Sequence, residues 1–87
     1  MSKEIILDVH ELQAPEPMEI VMNGLTKLQE GEYIKLIHRM EPFPLYDTFL
    51  DNGFRYKVTD GEFGFNIYIW FAKDKKTGEF VKSQISL

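Results

Sequence analysis

The chain has no cysteine in its 87 residues. That absence removes disulfides, thiolate metal sites, cysteine nucleophiles and persulfide chemistry together. Serine is scarce as well and confined to the ends, at Ser2, Ser83 and Ser86, so no nucleophile–base pair can be drawn through the body of the chain. An enzyme is therefore not expected. Positive charge is in short supply: 10 Lys and Arg against 14 Asp and Glu leave a net charge of −4, without the basic stripe that a nucleic-acid partner calls for. No apolar run approaches the roughly 20 residues that cross a bilayer. The opening "MSKEIILDVH" has only a short apolar stretch and no small-residue cleavage pattern. A cytoplasmic protein with no membrane partner is the expectation. A composition that is 44% hydrophobic and 28% charged fits one globular domain over residues 1–87, held by its core or by self-association since no disulfide is available.

What is present is a clear alternation of strand-like and helix-like segments. "EIILDV" (Glu4–Val9) reads as a strand with Ile5, Leu7 and Val9 on one face and Ile6 and Asp8 on the other. In "HELQAPEPMEIV" (His10–Val21) a polar loop runs into an apolar series: Met18, Val21, Met22, Leu25 and Leu28 recur at helical spacing. Pro15 suits the first helical turn, Glu16 and Glu19 complement its positive end, and Gly31 is the expected left-handed stop. "YIKLIH" (Tyr33–His38) is a second strand. A short second helix starts near Pro44 and stops at Asn52-Gly53. "FRYKVT" (Phe54–Thr59) and "FNIYIWFA" (Phe65–Ala72) make a hairpin, "KDKKTG" (Lys73–Gly78) reads as a loose turn, and residues 79–87 are either a short fifth strand or a tail. The order β-α-β-α-β-β predicts an α/β (α+β) two-layer sandwich: a four-stranded mixed sheet with both helices on one face.

The stretch "DVHELQAPEP" (Asp8–Pro17) resembles the opening of the TusA/SirA-like sulfur carriers, where a strand is followed by Gly-Leu, one residue, and Cys-Pro-x-Pro at the start of the first helix. Leu12, Pro15, Glu16 and Pro17 match that pattern, as does "LQEGE" (Leu28–Glu32) before the second strand. Two departures stand out. Glu11 occupies the glycine position, and Ala14 the position of the sulfur-carrying cysteine. An alanine methyl cannot carry a persulfide. The chain is more similar to the uncharacterised, cysteine-free branch of that fold, through Ala14–Met18 and Pro42–Leu45 after His38. Members of that branch sometimes occur appended to larger proteins, including hemerythrin-like ones. The resemblance implies the fold and an inherited loop at the helix start without its reactive atom.

Three sets of residues are candidates for function. The helix start, Ala14, Pro15, Glu16 and Pro17, is either a rigid entry turn or a contact for a ligand or partner. His10 and His38 follow two parallel neighbouring strands at their carboxyl ends, where open α/β sheets bind ligands. With Glu41 nearby they could hold a divalent metal or redox cofactor, or they are ordinary rim histidines; no other cofactor is indicated. Tyr68 and Trp70, with Ile6 and Ile37, fall on the sheet face opposite the helices, which either serves as an interface, for instance in a homodimer, or is covered by the C-terminal extension. The expected role is a non-enzymatic cytoplasmic module that presents the Ala14–Met18 edge and the His10/His38 rim to a protein partner or small ligand. The alternatives are a metal- or redox-cofactor-binding protein using the histidines, or a component associated with sulfur relay.

Overall fold

A computed structural model describes residues 2–85. Met1 lies outside the described residues, as do Ser86 and Leu87, the last two residues of the expected fifth strand or tail. The elements run β1 (Lys3–Asp8), α1 (Glu16–Lys27), β2 (Glu32–His38), α2 (Phe43–Asp51), β3 (Phe54–Gly61), β4 (Gly64–Phe71) and α3 (Lys75–Ile85). The four strands form one mixed sheet in the order β1-β2-β4-β3. β1 and β2 pair in parallel, with Ile5 opposite Ile34 and Asp8 opposite Ile37, while β4 runs antiparallel to both of its neighbours. Among the described residues no helix is long and apolar enough to cross a membrane.

Strand alternation sends Ile34 and Leu36 of β2 and Ile67 and Ile69 of β4 to one face, where all four are fully buried. Val21 and Leu25 of α1, and Leu45 and Phe49 of α2, close over them in one continuous core. Both helices therefore lie on the same face, as the alternation of β4 predicts. Each fully buried side chain of this size contributes about 1.5–3 kcal/mol relative to exposure, so this inner layer dominates the stability of a domain without covalent staples.

Three local expectations are corrected. Pro15 precedes the first turn as the N-cap residue, and Pro17 is the proline within it. Leu28, in extended conformation, ends α1; Gly31, at φ +87°, serves the turn before β2. The largest correction is at the C-terminus. The segment expected to be a loose turn and then a fifth strand or tail is the helix α3. Asp74 caps it: its carboxylate accepts hydrogen bonds from the Thr77 amide (3.2 Å), the Thr77 hydroxyl (2.7 Å) and the Gly31 amide (2.7 Å). Those hydrogen bonds, that of the Thr77 hydroxyl foremost, hold the Asp74 carboxyl below its ordinary pKa. Thr77, Val81 and Ile85 recur every four residues, a helical stripe partly masked by the lysines and by Gly78.

α3 packs on the sheet face opposite α1 and α2, around Tyr33, Trp70 and Val81. The two-layer sandwich thus acquires a third layer over part of its outer face. Gly78 makes the approach close enough: a Cβ there would sit 2.6 Å from Nε1 of Trp70. Of the two expectations for the outer face, cover by the C-terminal segment is the one seen at Trp70, and its place in an open interface is corrected. It is 4% exposed, part of a second small core.

Candidate functional site: an apolar cleft at the ends of β1 and β2

Because β1 and β2 are parallel neighbours, their carboxyl ends deliver two loops to the same edge of the sheet. The first runs from Val9 to Pro15 into α1, the second from Arg39 to Pro42 into α2. Between them lies a cleft of about 300 Å³, lined by Leu12, Ala14, Pro15, Pro17 and Met18 from the first loop and helix, and by His38, Arg39, Met40, Pro42, Pro44 and Leu45 from the second. The sequence-derived helix start and His38 are brought together here. Ala14 and Pro15 are exposed and Pro17 is buried. Glu16, also exposed, is outside the lining. Two of the lining residues are exposed apolar side chains, Met18 at 48% and Met40 at 65%, and Phe43, between the lining residues Pro42 and Pro44 in sequence, is 65% exposed.

The polar groups at this edge are mostly committed. The Glu16 amide donates to the Gln13 carbonyl (3.1 Å) and the Glu19 amide to the Pro15 carbonyl (3.2 Å), while Pro15 and Pro17 have no N–H to offer. The first turn of α1 is therefore a poor anion site. His38 is half-buried, and that burial, with the neighbouring Arg39 charge, lowers its pKa and keeps the ring neutral at pH 7. Its Nδ1 accepts the Met40 amide (3.2 Å), which leaves Nε2 to carry the proton.

Residues 6–73 match the family described as uncharacterized conserved protein DUF2249. The chain belongs to that family. The DUF2249 match takes in the second half of β1, the other three strands, α1, α2 and both cleft loops, and stops just short of α3. Among curated proteins and among solved structures nothing matches the chain.

Within this DUF2249 domain the two histidines go separate ways. His10 turns to its own strand end: Nδ1 contacts Asp8 Oδ1 at 2.5 Å, Nε2 lies 3.8 Å from Glu11, and the ring stacks on Phe63 with centroids 3.9 Å apart. The hydrogen bond from the His10 side chain is the main reason the Asp8 pKa is lowered. Glu41 accepts the Tyr46 hydroxyl at 2.9 Å, and Tyr46 stacks on Tyr56 at 4.3 Å. Burial and that carboxylate push the Tyr46 phenol pKa up. Among the described residues no group of three or more His, Asp or Glu side chains is placed to hold a metal ion. Of the two readings of the histidines, local hydrogen bonding is the one seen, and the shared metal set of His10, His38 and Glu41 is corrected: its members have other partners.

The outer-face set is split in the same way. Trp70 lies beneath α3, Tyr68 and Ile37 are half-buried, and Ile6 remains 57% exposed on the edge strand β1. Phe63, in the β3–β4 turn, is the partner of His10 that sequence reasoning missed. A lone aromatic in a Gly-containing turn gives no periodic signal. Met40 and Leu45 were missed as cleft walls, although the prolines around them marked that loop.

Proposed function

We propose that this chain is a non-enzymatic binding module whose cleft between Ala14–Met18 and His38–Leu45 receives an apolar side chain of a protein partner. The observation that carries the reading is the apolar rim. A cleft of about 300 Å³ alone is at the small end for a ligand pocket, but its walls include the exposed methionines Met18 and Met40, which carry apolar surface out to solvent. Exposed apolar surface that continues around a depression is the form of a protein contact, and methionines adapt to varied partners. The committed hydrogen bonds of His38 and Glu41 favour binding over acid–base chemistry. The module acts in the cytoplasm, without nucleic acid or membrane as partner.

The finer reading is a TusA-like scaffold with Ala14 in the place of the reactive cysteine. It is supported by the β-α-β-α-β-β order and by the exposure of Ala14 at the start of α1, where a sulfur carrier needs its thiol. The inherited loop would then serve recognition with no sulfur to transfer. The test is an amide NMR titration with short peptides that differ in one side chain, Leu, Phe, Trp or Ser. Apolar members should shift resonances of residues 12–18 and 38–45 saturably, and Ala14→Arg should abolish the effect with the rest of the spectrum native. Saturable binding that maps elsewhere or survives Ala14→Arg contradicts the reading, as does indifference to every apolar peptide.

A further inference from the structure

A second depression, of about 530 Å³, lies on the opposite side of the sheet, between the outer edge of β3 and α3. Arg55, Tyr56 and Lys57 line it from the strand, and Lys75, Glu79 and Lys82 from the helix. Four of the chain's ten Lys and Arg side chains thus gather around one cleft with a single carboxylate, in a protein whose net charge is −4. Such a concentration against the overall charge creates a local positive potential that attracts an acidic partner. The backbone provides an independent observation. β3 is an edge strand with β4 as its one neighbour in the sheet, so along its length every second N–H and C=O points away from the sheet.

We infer that the β3 edge is a docking strand for an extended acidic segment of a partner protein, which pairs with the β3 backbone and sets its carboxylates against Arg55, Lys57 and Lys75. The spacing fits this occupant better than a single oxyanion. Same-face residues of an extended chain recur about every 7 Å, the repeat at which Arg55 and Lys57 project from β3. Lys75 and Lys82 are two helical turns apart, so the cations on α3 are spread over about 10 Å. Strand addition at a sheet edge draws affinity from main-chain hydrogen bonds and selectivity from alternate side chains. Cations on an edge strand also repel a second copy of the same edge, so one arrangement discourages self-pairing and admits an acidic strand.

The experiment uses the full chain and an acetylated, amidated hexapeptide of alternating Glu and Val. Its controls are the Lys–Val counterpart, a version N-methylated on alternate residues in either register, and inorganic triphosphate. The Glu–Val peptide should bind saturably, shift the amides of residues 54–60 and 75–82, and weaken several-fold between low and physiological salt. The exposed double change Arg55→Glu and Lys57→Glu should weaken binding at least about tenfold with native circular dichroism, as expected where like charges replace complementary ones. Lys57→Gln alone should give a smaller loss. N-methylation in the pairing register should abolish binding. Equal binding of the N-methylated peptides, or tighter binding of triphosphate, would show a site for charge alone and overturn the docking strand. So would absence of Glu–Val binding, or self-association without peptide that the double variant removes.

Discussion

The two faces of the sheet are made from the same four strands and differ in what covers them. The inner face is closed by two helices that bury Val21, Leu25, Leu45 and Phe49 over Ile34, Leu36, Ile67 and Ile69, with Phe54, Tyr56 and Val58 of β3 in the same core. The outer face is closed over one part only, by α3, around Tyr33, Trp70 and Val81. A continuous core tolerates a shallow rim, and the apolar cleft sits on that rim where α1 and α2 begin. A small core fixes a single helix at close quarters and leaves charged side chains beside an open strand edge. The apolar cleft and the cationic depression thus lie on opposite sides of one sheet.

The largest expected effect tests whether the outer core is a core at all. Phe49→Ala and Trp70→Ala should each destabilise the domain by about 3–5 kcal/mol in denaturant titration, the range for buried aromatics. If Trp70 lay on open surface, its removal would change stability by no more than about 0.5 kcal/mol, and the comparison would collapse. Next in size is the cap of α3. Asp74→Ala should cost about 1–2 kcal/mol and raise amide exchange along residues 77–85 more than along α1. A smaller effect distinguishes close contact from mere proximity. Gly78→Ala gains about 1 kcal/mol of helix propensity, yet the Cβ would press on the buried Trp70 indole. A net loss of stability is expected, whereas a net gain would mean that α3 rides further from the sheet.

The smallest effect belongs to the inner rim. His38 has its pKa lowered by burial, so below the ordinary histidine value of 6.5 the unfolded chain takes up a proton that the folded chain resists. Stability contributed by the neutral ring is therefore intact above that pH and falls as the solution is acidified toward the folded-state pKa. His38→Gln should flatten this part of the stability–pH curve, read by thermal unfolding between mildly acidic and neutral pH. An unchanged slope would show that the ring is not buried in solution.

The inner face was legible in the sequence because its signals agree. Strand alternation in Phe65–Phe71, the spacing of Val21 and Leu25, and the prolines before both helices all indicate the same packing. The outer face was not legible because its signals conflict. Lys75, Lys76 and Gly78 read as a turn and mask the local cap of Asp74 on Thr77, while two further supports of the helix are tertiary: the carboxylate of Asp74 reaching the Gly31 amide, and a glycine required by the indole of Trp70. For the site, parallel strand order placed His38 beside Ala14–Pro17 correctly. The same reasoning failed for His10, since a strand end fixes where a residue lies but not that its ring turns back to Asp8 and Phe63. Glu41 was lost to Tyr46 for the same reason.

The most direct test of the central claim, that the Ala14 edge is a presented recognition site, is the reactivity of a thiol placed in it. Ala14→Cys introduces the chain's sole cysteine, so a disulfide reagent reports that position without background. The positive end of α1 lowers the thiol pKa from about 8.5, and Glu16 and Glu19 oppose the shift, so a modest lowering is expected. The account predicts a natively folded protein whose thiol reacts faster than an unstructured thiol at pH 7 and is shielded at saturating concentrations of the apolar peptide. A thiol that is unreactive, or that reacts at the same rate with and without bound peptide, would contradict it.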